Sequence, residues 1–75
     1  MSVQEANYYG VSNSSIFYAN MIVEGVTNFG RCPKKLRSDV AFILVVLGQD
    51  DLVTDLSCLN EAKERYTEFQ KNHQN

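Results

Sequence analysis

The chain has 75 residues, of which 44% are hydrophobic and 21% charged, and a formal net charge of −2. That length leaves room for one hydrophobic core and not two, and the near-neutral charge excludes the broad basic field of a non-specific nucleic-acid binder. The composition is that of an ordinary folded domain, and the longest apolar run, Ala41 to Leu47, falls far short of the roughly 20 residues needed to cross a bilayer.

Residues 1–13 are polar and aperiodic apart from Tyr8 and Tyr9, so they are expected to form a flexible N-terminal tail ahead of a single helical domain over 14–72. The opening "MSVQEANYYG" has neither the basic n-region nor the apolar h-region of a secretory signal. A cytoplasmic, reducing setting follows, in which Cys32 and Cys58 remain free and at least partly buried.

The first helix is expected at about 14–24. Ser12, Asn13 or Ser14 offers an N-cap. Ile16, Ala19, Val23 and Val26 recur at steps of three and four, with Phe17 and Ile22 widening the stripe, and Gly25 suits the C′ position. Asn28 and Gly30 then read as turn residues, with Phe29 tucked inward.

The second helix is expected at 33–47. Pro33 suits N1, where its missing N–H costs nothing. Leu36, Val40, Ile43, Leu44 and Leu47 form a 3.6-residue stripe closed by Gly48. The rival is a buried strand through "VAFILVV", favoured by its β-branched content, but the capped pattern is longer than a strand needs. Phe42, Val45 and Val46 fall outside the stripe, so this helix must be covered on more than one side, by central placement or by an interface with another molecule.

The third helical stripe comprises Leu52, Leu56, Leu59, Ala62, Tyr66 and Phe69. It reads as one helix over 51–71, capped by Asp50 or Asp51, or as a helix over 58–71, capped by Ser57, after a short fourth helix around 50–56. Glu61–Arg65 and Glu68–Lys71 have the spacing of helix-supporting ion pairs. The expected architecture is all-α, a small orthogonal or bundle-like domain of three or four helices.

Little in the sequence points to catalysis. His73 is the sole histidine, third from the last residue, with no Ser/His/Asp or Cys/His arrangement around it. Cys32, Cys58 and His73 lack metal-ligand spacing, and "GQDDLVTD" lacks the alternating ligands of an EF-hand. No cofactor, metal or enzymatic activity is expected.

The charge pattern is more informative. Residues 1–30 contain Glu5 and Glu24 and no lysine or arginine, whereas Arg31, Lys34, Lys35 and Arg37 place four of the seven basic residues in one short segment. From residue 39 onward seven acids face Lys63, Arg65 and Lys71. A helix N-terminus carries about half a positive charge, so cations there need an offsetting anion. That anion is expected within the chain, from Asp39 or the acidic segment 50–55; the alternative is an external phosphate or acidic protein surface.

"FYANMIVEGVTNFGRCPKKLRSDVAFIL" resembles short proteins encoded in phage and prophage tail-gene regions, in which a helix ending at a Gly turn precedes a helix of the form P-x-x-L-R-x-x-V. Tyr18, Ile22, Gly25, Pro33, Leu36, Arg37 and Val40 carry the resemblance, over about half the chain. It implies a bacterial or mobile-element origin and an accessory, non-enzymatic role, and it supplies no catalytic or binding residue. The expected function is protein–protein interaction, with another protein or with itself as a homodimer. Arg31, Lys34, Lys35 and Arg37 form the anion- or partner-binding segment, and Phe42, Val45 and Val46 the apolar interaction surface. The alternative is a nucleic-acid-associated regulator that places the same four cations on phosphate.

Overall fold

The structure is a computed structural model that describes residues 11–73, with side chains as far as Lys71. It is an all-α domain: α1 (Asn13–Val23), a 3₁₀ turn at Phe29–Arg31, α2 (Lys34–Val46), a second 3₁₀ turn at Asp50–Leu52, and α3 (Leu56–His73). The helix α2 is the centre of the molecule, with α1 packed on one part of it and α3 on another. The expected tail lies outside the described residues from 1 to 10. Its last residues are folded, however: Val11 is buried in the core and Ser12 starts α1.

Each boundary has a local cause. The Ser12 hydroxyl accepts from the Ser15 N–H and shares a hydrogen bond with the Ser15 hydroxyl, so the N-cap is Ser12 rather than Asn13 or Ser14. Gly25 (φ 81°) ends α1 in a left-handed cap: its N–H donates to Ile22 O and the Val26 N–H reaches back to Met21 O. The same motif ends α2, with Gly48 (φ 77°) donating to Val45 O and Gln49 to Leu44 O. Pro33 lies one residue outside α2, as its N-cap, and contributes no side-chain hydrogen bond there. At the corner before α3 the cap is Asp55, whose Oδ1 accepts from the N–H groups of Ser57 and Cys58. Segment 51–71 therefore follows the second alternative, a short element and then a long helix, with Asp55 rather than Ser57 as the cap. It is a single 3₁₀ turn followed by α3.

The core explains the apolar girth of α2. Val40, Ala41, Phe42, Ile43, Leu44 and Val46 are all buried, while Leu36, Val45 and Leu47 are half-buried against them. Each fully buried side chain of this size contributes about 1.5–3 kcal/mol relative to exposure. Central placement, not an interface, covers this helix. The expected interaction surface at Phe42, Val45 and Val46 is corrected at two positions: Phe42 is 1% exposed and Val46 7%, both inside the core, while Val45 is half-buried against it.

The orientation of α1 also differs from expectation. Its inward residues are Ser15, Ala19 and Ile22, while Phe17 is 66% exposed and Val26 69%. Treating Ser15 as polar turns the stripe towards Val23. The Ser15 hydroxyl is satisfied by Ser12, so it is buried without an orphaned polar atom. On α3 the inward set is Leu59, Ala62, Tyr66 and Phe69, with Leu56 exposed and Val53 supplying the buried apolar residue of that corner.

Candidate functional site

The four cations of segment 31–37 arise from two elements. Arg31 closes the first 3₁₀ turn, and Lys34, Lys35 and Arg37 occupy the first turns of α2. Arg31, Lys34 and Lys35 are exposed, whereas Arg37 is half-buried. Its guanidinium turns back along the chain, with Nε donating to Cys32 O at 3.0 Å and Nη2 to Gly30 O at 3.4 Å. Arg37 thereby satisfies carbonyls of the segment that leads into α2, and it leaves the set of free anion binders. A fork of donors four positions into the helix can do this where Pro33, with neither an N–H nor a polar side chain, cannot.

The expected internal anions are engaged elsewhere. Asp39 Oδ1 accepts from Arg65 Nη1 at 2.8 Å, and Asp50 Oδ2 stands 3.7 Å from Lys63 Nζ. These are the ion pairs among the described residues, and neither includes Arg31, Lys34 or Lys35. The sequence-adjacent pairs Glu61–Arg65 and Glu68–Lys71 do not form. Arg65 instead crosses to α2, where its Cζ lies 4.3 Å from the centre of the Phe42 ring, and Tyr66 meets the same ring edge-on at 6.3 Å.

At the start of α2 the Leu36 N–H donates to Pro33 O. The N–H groups of Lys34 and Lys35 have no acceptor among the described residues, and the helix has no acidic residue in its first turn. The outcome is an exposed electropositive end: two open N–H groups, the helix dipole and three solvated cations. The exposed residues of α2, Lys34, Lys35 and Ser38, all lie near its start, because Val40 to Leu44 are buried. That geometry does not suit major-groove recognition, which needs a helix with a polar face along its length.

Cys32 and Cys58 are free. Burial pushes the Cys32 thiol up from its ordinary range, partly countered by Arg37, and the neighbouring Cys58 adds to the rise. The Cys58 thiol is raised by burial, then by Asp55 and Glu61, against Arg37. Both are held in the less reactive protonated form. Among the described residues no three His, Cys, Asp or Glu side chains could hold a metal ion, and no helix is long and apolar enough to cross a membrane. The side chain of His73 lies outside the described residues.

Fold and site together define a small three-helix domain built around a central apolar helix, with one cationic end. Comparison with protein-family models, curated proteins and solved structures found no match.

Proposed function

We propose that this chain is a small non-enzymatic interaction protein that docks an acidic protein surface through the cationic start of α2. One observation carries the reading: Asp39 and Asp50 are paired with Arg65 and Lys63, which leaves Arg31, Lys34 and Lys35 exposed without a carboxylate partner among the described residues. Cations at a helix N-terminus meet a like-signed potential, and an external carboxylate relieves it while accepting from the open N–H groups of Lys34 and Lys35. The accessory role and the phage or prophage origin rest on the sequence resemblance alone.

Titration of the full chain with a polyglutamate peptide, followed by fluorescence anisotropy at low and moderate salt, tests the reading. Binding should be salt-sensitive, and Lys34→Glu together with Lys35→Glu should weaken it at least tenfold while the helical circular dichroism stays unchanged. No binding at low salt, or equal binding by the charge-reversed protein, refutes it. Tighter binding of a duplex oligonucleotide than of the peptide would select the nucleic-acid reading instead.

A further inference from the structure

A different face of the molecule points to self-association. The helix α1 packs inward through Ser15, Ala19 and Ile22, and its opposite side carries Asn13, Phe17, Asn20 and Glu24. Spaced i, i+4, i+7 and i+11, these four fall within an arc of about 60°. Phe17 at its middle is 66% exposed, and Met21 flanks it half-buried. The flanking helix on the other part of α2 differs: α3 exposes Glu61, Lys63, Glu64 and Glu68. From Asn13 to Val23, α1 contains no charged residue at all.

The two ends of this stripe complement each other. At its start the N–H groups of Asn13 and Ser14 have no acceptor among the described residues, and the first turn contains no acid. At its end stands Glu24, the C-cap residue, exposed. A carboxylate at a helix C-terminus faces the negative end of the dipole, the wrong end for its charge. Within one molecule neither end can help the other, because they lie a helix length apart.

We infer that α1 is the contact face of a two-fold symmetric homodimer in which the α1 helices of two copies pack antiparallel. A two-fold axis crossing the stripe between Phe17 and Asn20 places Glu24 of each copy beside the open N-terminus of its partner's α1. It also lays each Phe17 against Asn20 and Met21 of the other copy. Both ends are satisfied in a single step, which a two-fold contact guarantees by pairing i with j and j with i. No like charges meet, whereas self-contact through the cationic start of α2 would set like against like. One helix face is smaller than the roughly 800 Å² per partner of a standard stable interface, so the dimer is weak and concentration-dependent.

Sedimentation velocity of the full chain from 10 µM to 1 mM tests this, because the exposed position of Phe17 allows substitution without unfolding. The wild-type protein should shift from monomer to dimer across that range, and Phe17→Ser should stay monomeric with unchanged helical circular dichroism. Glu24→Gln removes two symmetry-related charge contacts and should weaken the dimer about 3- to 30-fold; Glu24→Lys should weaken it further. The Lys34→Glu, Lys35→Glu protein should dimerise like the wild type, which separates this inference from the proposed docking end. A wild-type chain that is monomeric at 1 mM overturns the inference, as does a dimer indifferent to Phe17→Ser or to both Glu24 substitutions. Loss of thermal stability in a strictly monomeric Phe17→Ser protein also overturns it, since Phe17 would then be covered by its own chain.

Discussion

Replacing Arg65 with alanine should destabilise the domain far more than a surface charge normally does. Arg65 makes three contacts that alanine loses. Its guanidinium pairs with Asp39 at 2.8 Å, with the two side chains 37% and 31% exposed; for a pair this open to solvent about 0.5–1 kcal/mol is appropriate. Its Cζ stands 4.3 Å from the Phe42 ring centre, a cation–π contact of about 0.5–1 kcal/mol. The side chain also helps cover a ring that is only 1% exposed, and uncovering a few tens of Å² adds roughly 0.5–1 kcal/mol. The total is about 1.5–3 kcal/mol, which for a domain of this size lowers Tm by about 6–24 °C. Urea and thermal unfolding followed by far-UV circular dichroism measure it. Lys63→Ala is the control, because Lys63 sits 3.7 Å from Asp50 with both side chains about half exposed, a pair worth less than about 0.5 kcal/mol. Arg65→Met should recover the stem packing but not the charge contacts, falling between wild type and Arg65→Ala. If Arg65→Ala proves no worse than Lys63→Ala, or if 1 M salt erases the whole difference, the ring contact contributes nothing and the reasoning fails.

The Asp55 carboxylate caps α3 through two N–H groups, so Asp55→Ala should cost about 1 kcal/mol, whereas Ser57→Ala should be near neutral in the same unfolding assay. Under native conditions at pH 8 a disulfide exchange reagent should modify the half-buried Cys58 before the buried Cys32. Because both thiols are raised, thiolate appears only at higher pH than for a free cysteine, so native rates should keep climbing above pH 9 while those of the urea-unfolded chain level off. Equal rates for the two native cysteines would contradict the burial of Cys32.

Helix content and helix ends are legible because their signals are local. Gly25 and Gly48 mark C′ positions through a conformation that other residues adopt only with strain, and the apolar girth of α2 demands cover on more than one side. The source of that cover is not local. Phe42 and Val46 read equally well as surface or as core until α1 and α3 are placed, so the expected interface at those residues turned out to be interior. The facing of α1 was obscured by one hydroxyl, since Ser15 counts as polar by type but is buried once Ser12 satisfies it. Arg65 was obscured by proximity in sequence. Glu61, four residues earlier, is the obvious partner, yet Asp39, 26 residues away, takes the contact because the Phe42 ring offers a second surface beside it.

The cations of segment 31–37 illustrate how a charge pattern divides once a fold is built. An anion within the chain was the simpler expectation, and the chain does use its acids, but on α3. Arg65 and Lys63 reach Asp39 and Asp50, at α2 and at the turn that follows it. Arg37 found neutral acceptors, the carbonyls of Gly30 and Cys32, which carry enough negative potential to hold a guanidinium without a carboxylate. Three cations then remain at a helix start whose N-cap, Pro33, has no polar side chain to close it. A central helix buried from Val40 to Leu44 exposes almost nothing else. Among the described residues, the first turn of α2 and the outer faces of its two flanking helices are open to solvent. Of these, α3 is a mixed-charge face of the kind water solvates well, whereas the α2 start and α1 each carry open N–H groups.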